Sequence, residues 1–170
     1  MERLVVSDTN ILIDLVKLGI LVDFFFLPWE IHTTDFVMDE LTDSAQNEAV
    51  MHFYKRGRLI VGSLSEEDIA AVFERSSQPA CRLSPTDLSV LHYASKIDGC
   101  SILTGDKLLR ETAEKEGTEV HGILFVFDAL VDQKMLPETL AADLLEKLYS
   151  FNKHLPSGEV EKRINKWKQE

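Results

Sequence analysis

An α/β fold built on a parallel sheet is predicted by short β-like runs that alternate with helical stretches up to about residue 122. Two further observations agree with it. At 170 residues the chain is long enough to bury a hydrophobic core as one compact domain. Its two cysteines, Cys81 and Cys100, have neither metal-ligand spacing nor enough partners for a disulfide framework. Both read as small buried apolar residues in a reducing compartment. No basic segment precedes a cleavable apolar run, and no stretch approaches the roughly eighteen apolar residues of a membrane helix. The expectation is a soluble, cytoplasmic protein.

The elements follow in order. Leu4 to Val6 is a β-like run leading through Ser7-Asp8-Thr9-Asn10 into a helix over Ile11 to Leu18 that Gly19 stops. A second strand is predicted at Ile31 to Thr34, a helix from about Asp35, and a longer one around Glu48 to Tyr54 that ends in the basic turn Lys55-Arg56-Gly57-Arg58. Leu59 to Val61 reads as strand three. Ser65 with Asp68 is the capping signature of a helix through Arg75, and Ser84-Pro85-Thr86-Asp87 repeats it for a helix through Ile97. Ser101 to Thr104 is strand four, Lys107 to Glu116 a helix ended by Gly117, and Glu119 to His121 a fifth short strand. Beyond Gly122 only helices are predicted: Ile123 to Lys134, then from Pro137 to Phe151, then Ser157 to Lys168. Residues 1–122 are therefore expected to form the α/β unit, and 123–170 a helical extension packed on it. The first extension helix carries Ile123, Leu124, Phe125, Val126, Phe127, Leu130 and Val131, more apolar surface than one amphipathic face needs, enough for the core and for a second copy in a homodimer.

The formal net charge of −11 excludes a protein that binds nucleic acid over its whole surface, since phosphate binding is mainly cationic neutralisation. A cluster of acids that holds divalent cations would contribute to that charge. In open α/β sheets ligands collect beyond the carboxyl ends of the strands, where Asp8 follows strand one and Asp106 follows strand four. Each is also a sound helix cap, and an Asp after a strand often does nothing else. On a 3.6-residue wheel Asp87 falls between Leu91 and Ala94 in the apolar stripe, with Ser89, His92 and Lys96 on the polar side. A capping box would also explain it. Glu40 projects between Phe36 and Val37, whereas Asp39 lies with Asp35 and Thr42 on the polar face. Carboxylates placed toward a core should meet a cation or ionise with difficulty. Oxygen-only ligands suit Mg²⁺ or Mn²⁺ rather than zinc, and such an ion can promote displacement at a phosphodiester.

Asp8-Thr9-Asn10-Ile11-Leu12, Val37-Met38-Asp39-Glu40-Leu41, Ser84-Pro85-Thr86-Asp87 and Leu103-Thr104-Gly105-Asp106 resemble, in order and spacing, the motifs of PIN-domain nucleases. The likeness covers roughly residues 4–122, and His121-Gly122-Ile123 through Leu155-Pro156 resembles the helical extension of one branch of that family. The resemblance implies a three-layer α/β/α PIN-like fold with a central parallel sheet plus a C-terminal helical extension. It implies a metal-dependent endoribonuclease that uses Mg²⁺ or Mn²⁺ on RNA. Many members are toxins, so it also implies an antitoxin protein as partner. Carried over by position, Asp8, Glu40, Asp87 and Asp106 become the catalytic, metal-holding carboxylates, with Thr9, Asn10 and Thr104 as supporting hydrogen-bond residues.

Other residues carry less. His32, His52, His92, His121 and His154 are scattered without ligand spacing and read as surface or partly buried residues. Lys107 and Arg110 stand beside Asp106 and are candidates to hold a substrate phosphate, although Arg110 with Glu114 and Glu111 with Lys115 are also ordinary i,i+4 pairs. Lys162, Arg163, Lys166 and Lys168 around Trp167 form either a basic aromatic patch or, the preferred reading, a solvated and frayed terminal helix. Two other functions compete with the nuclease. One is a non-catalytic or antitoxin-regulated binding module. The other is a haloacid-dehalogenase-type phosphatase, which wants a second Asp where this chain has Asn10.

Overall fold

A computed structural model describes residues 3–169. Five strands form one parallel sheet: β1 (Arg3–Ser7), β2 (Trp29–Thr34), β3 (Ile60–Gly62), β4 (Ser101–Leu103) and β5 (Glu119–His121), in the spatial order β3-β2-β1-β4-β5. The chain first winds outward from β1 through β2 to β3, then returns to lay β4 on the other side of β1. The point where the winding reverses lies between β1 and β4, and a crevice opens there beyond the strand ends. Val5, Val6, Ile31, Ile102 and Leu103 are buried, as strands covered on both faces require. The fold is α/β, with helices flanking the sheet.

The helices are α1 (Thr9–Leu18), α2 (Leu21–Phe25), α3 (Asp35–Glu40), α4 (Ser44–Lys55), α5 (Glu66–Ser76), α6 (Pro85–Ser95), α7 (Lys107–Lys115), α8 (Ile123–Asp132), α9 (Glu138–Phe151) and α10 (Ser157–Lys168). Gly19 ends α1 in the left-handed region at φ 72°, a conformation that costs glycine nothing. Helix α2 was not predicted. Its apolar residues are too few to show a period, and tertiary burial of Leu21, Phe24 and Phe25 holds it instead. Helix α4 begins at Ser44 and not near Glu48, because Asp43 caps it by accepting the Gln46 amide.

Helix α6 was expected to be amphipathic, with Ser89 on its polar side. It lies against β1, β2 and β4, and Ser89 is fully buried, sharing a hydrogen bond of 2.9 Å with Thr34 and donating to the Thr86 carbonyl. Thr34 also caps α3 by accepting the Val37 amide at 3.2 Å. One buried threonine thus ties the end of β2, the start of α3 and the first turns of α6 together. The capping signature at α5 is half realised. Ser65 accepts the Asp68 amide, but the Asp68 carboxylate is taken by His92 and Lys96.

Residues 123–168 form three helices, α8 to α10, joined by short turns. α8 meets α2, α9 meets α1, and α10 packs along α9. Ile123, Val126, Phe127 and Leu130 are buried within the chain, and Leu124, Phe125 and Val131 are partly buried against the same core, so α8 needs no second subunit to cover it. The frayed-terminus reading is overturned. Trp167 is only 3 % exposed and stacks on Phe127, while Arg163 pairs with Asp128 and Glu159, and Lys168 pairs with Glu146. An indole held in the core is also not offered to a nucleic-acid base. Cys100 is buried as expected, Cys81 is half-buried, and both are free thiols. Among the described residues no helix is long and apolar enough to cross a membrane.

Candidate active site

The four predicted carboxylates converge at the strand ends where the winding reverses. Asp8 follows β1 directly, and its amide donates to the Leu103 carbonyl of β4 at 2.9 Å, which pins the two strand ends together. Its side chain is 4 % exposed. Oδ1 accepts the Thr9 amide at 2.8 Å, and Oδ2 accepts the Thr104 hydroxyl at 2.7 Å. Thr104, itself fully buried, accepts the Asp106 amide at 3.1 Å. One hydroxyl therefore spaces Asp106 from Asp8. Asn10 supports the same loop by accepting the Gly105 amide at 3.2 Å.

Glu40 reaches the site from the last position of α3, where Oε2 accepts the Thr9 hydroxyl at 2.6 Å. The wheel put it against the core, and that burial is not found. α3 has only six residues and ends at Glu40, which is exposed, while Val37 and Met38 are the helix's buried residues. Its side chain nevertheless turns to Thr9. Asp39, also exposed, has no such bond. Glu40→Gln is accordingly expected to lose most activity and Asp39→Asn to stay near wild type, checked by initial rates on one RNA substrate with both proteins folded by circular dichroism. Equal rates in the two variants would remove Glu40 from the site.

Asp87 is half-buried and closes a full capping box with Ser84, donating its amide to the Ser84 hydroxyl at 3.1 Å and accepting the Ser84 amide on Oδ2 at 3.0 Å. Asp106 caps α7 by accepting the Leu109 amide on Oδ1 at 2.7 Å. The capping reading therefore holds for both. Asp87 and Asp106 each spend one oxygen on a helix amide and keep the other without a protein partner among the described residues. Capping also fixes the direction in which the remaining oxygen faces.

Burial raises the Asp8 carboxyl to about 6, helped by the negative charges of Asp87 and Glu40 and opposed by its bonds to Thr104 and Thr9. Burial likewise raises Asp87, with Asp106 and Glu40 adding to the rise and the Ser84 bonds opposing it. Each carboxylate thus acts on at least one other. The donor set is all oxygen and short of positive charge, a match for a hard divalent cation. Among the described residues no three Asp, Glu, His or Cys side chains stand close enough to form a ready cation cage.

A family model described as PIN domain matches residues 4–169. The chain belongs to the PIN-domain family. PIN domains are in general nucleases that bind RNA and use divalent metals, and the match includes α8 to α10 together with the sheet. Among solved structures, a PilT N-terminus domain protein from the hyperthermophilic archaeon Sulfolobus solfataricus is similar at 12 % identity over 73 % of this chain and 90 % of its own, with a TM-score of 0.48. No curated protein matches the chain significantly.

The neighbourhood of the carboxylates departs from expectation in two ways. The predicted pairs of Arg110 with Glu114 and Glu111 with Lys115 are not formed; Lys107 meets Glu111 instead, at 3.8 Å, and the Arg110 guanidinium turns back to the Thr104 carbonyl at 3.4 Å. A cleft of about 880 Å³ also runs from Asn10 and Asp106 past Arg110 to His121, Asn152 and His154. Sequence reasoning set both histidines aside as scattered. Only the fold brings β5 and the turn before α10 to the same place, and no short spacing announces it.

Proposed function

We propose that this PIN-domain protein is a metal-dependent endoribonuclease that hydrolyses RNA phosphodiester bonds, with Mg²⁺ or Mn²⁺ held by Asp8, Glu40, Asp87 and Asp106. The observation that carries the reading is Asp8: nearly inaccessible, raised by burial and by two neighbouring anions, and seated where the sheet's winding reverses. Keeping such a group ionised costs the fold more than its cap and hydroxyl bonds return, and a bound cation would offset that cost. The ion would supply Lewis-acid stabilisation of the charge that builds on a phosphodiester as water attacks it.

The chain's own residues do the orienting. Thr104 and the Thr9 amide hold the two Asp8 oxygens, the Thr9 hydroxyl keeps Glu40 turned inward, and Asn10 fixes the Gly105 turn that presents Asp106. Lys107 and Arg110, on the first turns of α7, supply positive charge to a substrate phosphate in a protein that is otherwise strongly acidic. The family likeness extends the proposal to the toxin of a toxin-antitoxin pair, with an antitoxin protein as partner. A non-catalytic binding module draws its support from the three caps, since capping gives Asp8, Asp87 and Asp106 structural work without any chemistry.

The test is incubation of purified protein with mixed single-stranded and structured RNA in Mn²⁺, Mg²⁺ or EDTA, beside a phosphate monoester. Metal-dependent shortening of RNA with no phosphate release supports the nuclease. Phosphate release alone would indicate the phosphatase, and neither reaction would indicate the binding module.

A further inference from the structure

The cleft beyond Asp106 has two walls of different origin. One comes from the sheet unit, through Asn10, Arg110 and His121, and the other from the extension, through Asn152, His154 and the first turn of α8. Its volume of about 880 Å³ lies within the roughly 300–1,000 Å³ of sites that enclose small ligands. The negative charges along it are largely taken up. Asp128 is gripped by Arg163 through two hydrogen bonds of 2.8 Å, and Asp14, whose carboxyl burial raises, accepts from Asn152 at 3.3 Å. Unlike Arg3, Arg75 and Arg163, Arg110 enters no ion pair among the described residues. Gly122 leaves room for it: a Cβ there would stand 3.0 Å from the guanidinium.

An aromatic stack ends in the same cleft. Trp29 stacks on Phe125 at 5.7 Å between ring centres, with Arg3 also lying over the Phe125 ring. His121 stacks on Phe125 at 3.8 Å with the rings 11° from parallel. Phe125 covers one face of His121 and Glu119 holds its Nε2 at 2.7 Å, so the face opposite Phe125 is the part of this cleft-lining ring left to stack. A flat π-face and a guanidinium that enters no ion pair, in one cleft that Asp106 also lines, match the parts of a nucleotide.

We propose that this cleft is the subsite for the nucleotide next to the scissile bond, the base stacking on His121 and the adjoining phosphate meeting Arg110. The inference rests on the ribonuclease reading and adds to it a substrate-binding role for the extension, whose Asn152 and His154 form the facing wall. The site selects a single-stranded segment, because a base paired in a duplex has no free face to stack.

The test uses the full-length Asp8→Asn protein, so that binding is measured without cleavage, and a short fluorescent single-stranded RNA. An abasic residue is moved through the positions flanking the cleavage point. His121→Ala should weaken binding about tenfold, and one abasic position should do the same in the parent. The two together should be no worse than either alone, and His121→Phe should bind as the parent does. Arg110→Ala should weaken binding about tenfold and flatten its salt dependence, whereas Arg75→Ala should not. In the Asp8-containing enzyme the His121→Ala loss should fall on KM and spare kcat. Additive effects of His121→Ala and every abasic position, or His121→Phe behaving as His121→Ala, would overturn the subsite while leaving an active ribonuclease intact. A wild type that cleaves no RNA in any metal is a different failure, that of the ribonuclease reading itself.

Discussion

Asp8→Asn should abolish metal-dependent RNA cleavage, by on the order of a thousandfold or more, and in the absence of divalent cation should melt higher than the wild type at neutral pH. The loss follows from removing a charge that a cation needs. The gain follows from removing a charge that the fold does not. With a carboxyl raised from 3.8 to about 6, ionising Asp8 in the folded state costs about 3 kcal/mol at pH 7, at about 1.4 kcal/mol per unit. Asparagine avoids that cost but places an amide where Oδ2 accepts the Thr104 hydroxyl, a loss of about 1 kcal/mol. The net gain of about 2 kcal/mol corresponds to roughly 4–8 °C for a chain of this size.

The sign fixes the pH window. Below the unfolded value near 4 both states are protonated and the wild type bears no penalty. Between about 4 and about 6 the folded state holds the proton more tightly than the unfolded one, so wild-type stability falls as pH rises. Above about 6 the penalty is complete. The advantage of Asp8→Asn should therefore be full at pH 7 and gone or slightly reversed at pH 4, where mainly the weakened Thr104 bond remains, as seen by thermal melts across that range in EDTA. An advantage that grows toward low pH would contradict the assignment.

The second large effect is expected from removing the extension. Ending the chain after Gly122 takes away the side chains of Ile123, Val126, Phe127, Leu130, Leu145, Leu148 and Trp167, all buried, and uncovers the surfaces of α1 and α2 that α9 and α8 meet. Each such side chain contributes about 1.5–3 kcal/mol through burial, so their sum, about 10–21 kcal/mol, is comparable to the whole net stability of an ordinary domain, about 5–15 kcal/mol. The truncated protein should be insoluble or aggregated on size-exclusion chromatography. A soluble, monomeric and active product would show that 123–170 is an independent appendage.

The alternation that predicts the sheet was readable because each strand is short and bounded by Gly or by a helix cap. The element order and most boundaries agree with it. What failed was the assumption that a helix has one polar side. α6 lies across three strands, so Ser89 is buried and satisfied by Thr34, a partner far away in sequence. The same assumption placed Glu40 in the core, when the helix is too short to have an interior and Thr9 alone turns the carboxylate inward. Asp8 and Asp106 were legible as candidate site residues from their place after strands. Their neighbours in the cleft were not, because His121, Asn152 and His154 meet only through the packing of α9 on α1.

The central claim is that these four carboxylates share a divalent cation. Titration of Mn²⁺ or Mg²⁺ into the folded protein at neutral pH, by calorimetry and by melting temperature, tests it most directly. Binding to the folded state alone must raise stability, by about 2.7 kcal/mol at a hundred times the dissociation constant. The wild type and Asp39→Asn should show the shift, Asp106→Asn should lose most of it, and acidification toward the carboxylate range should shrink it as protons compete for the same oxygens. Absence of any divalent-metal binding to the wild type, even with single-stranded RNA present, would contradict the account and leave the binding module in its place.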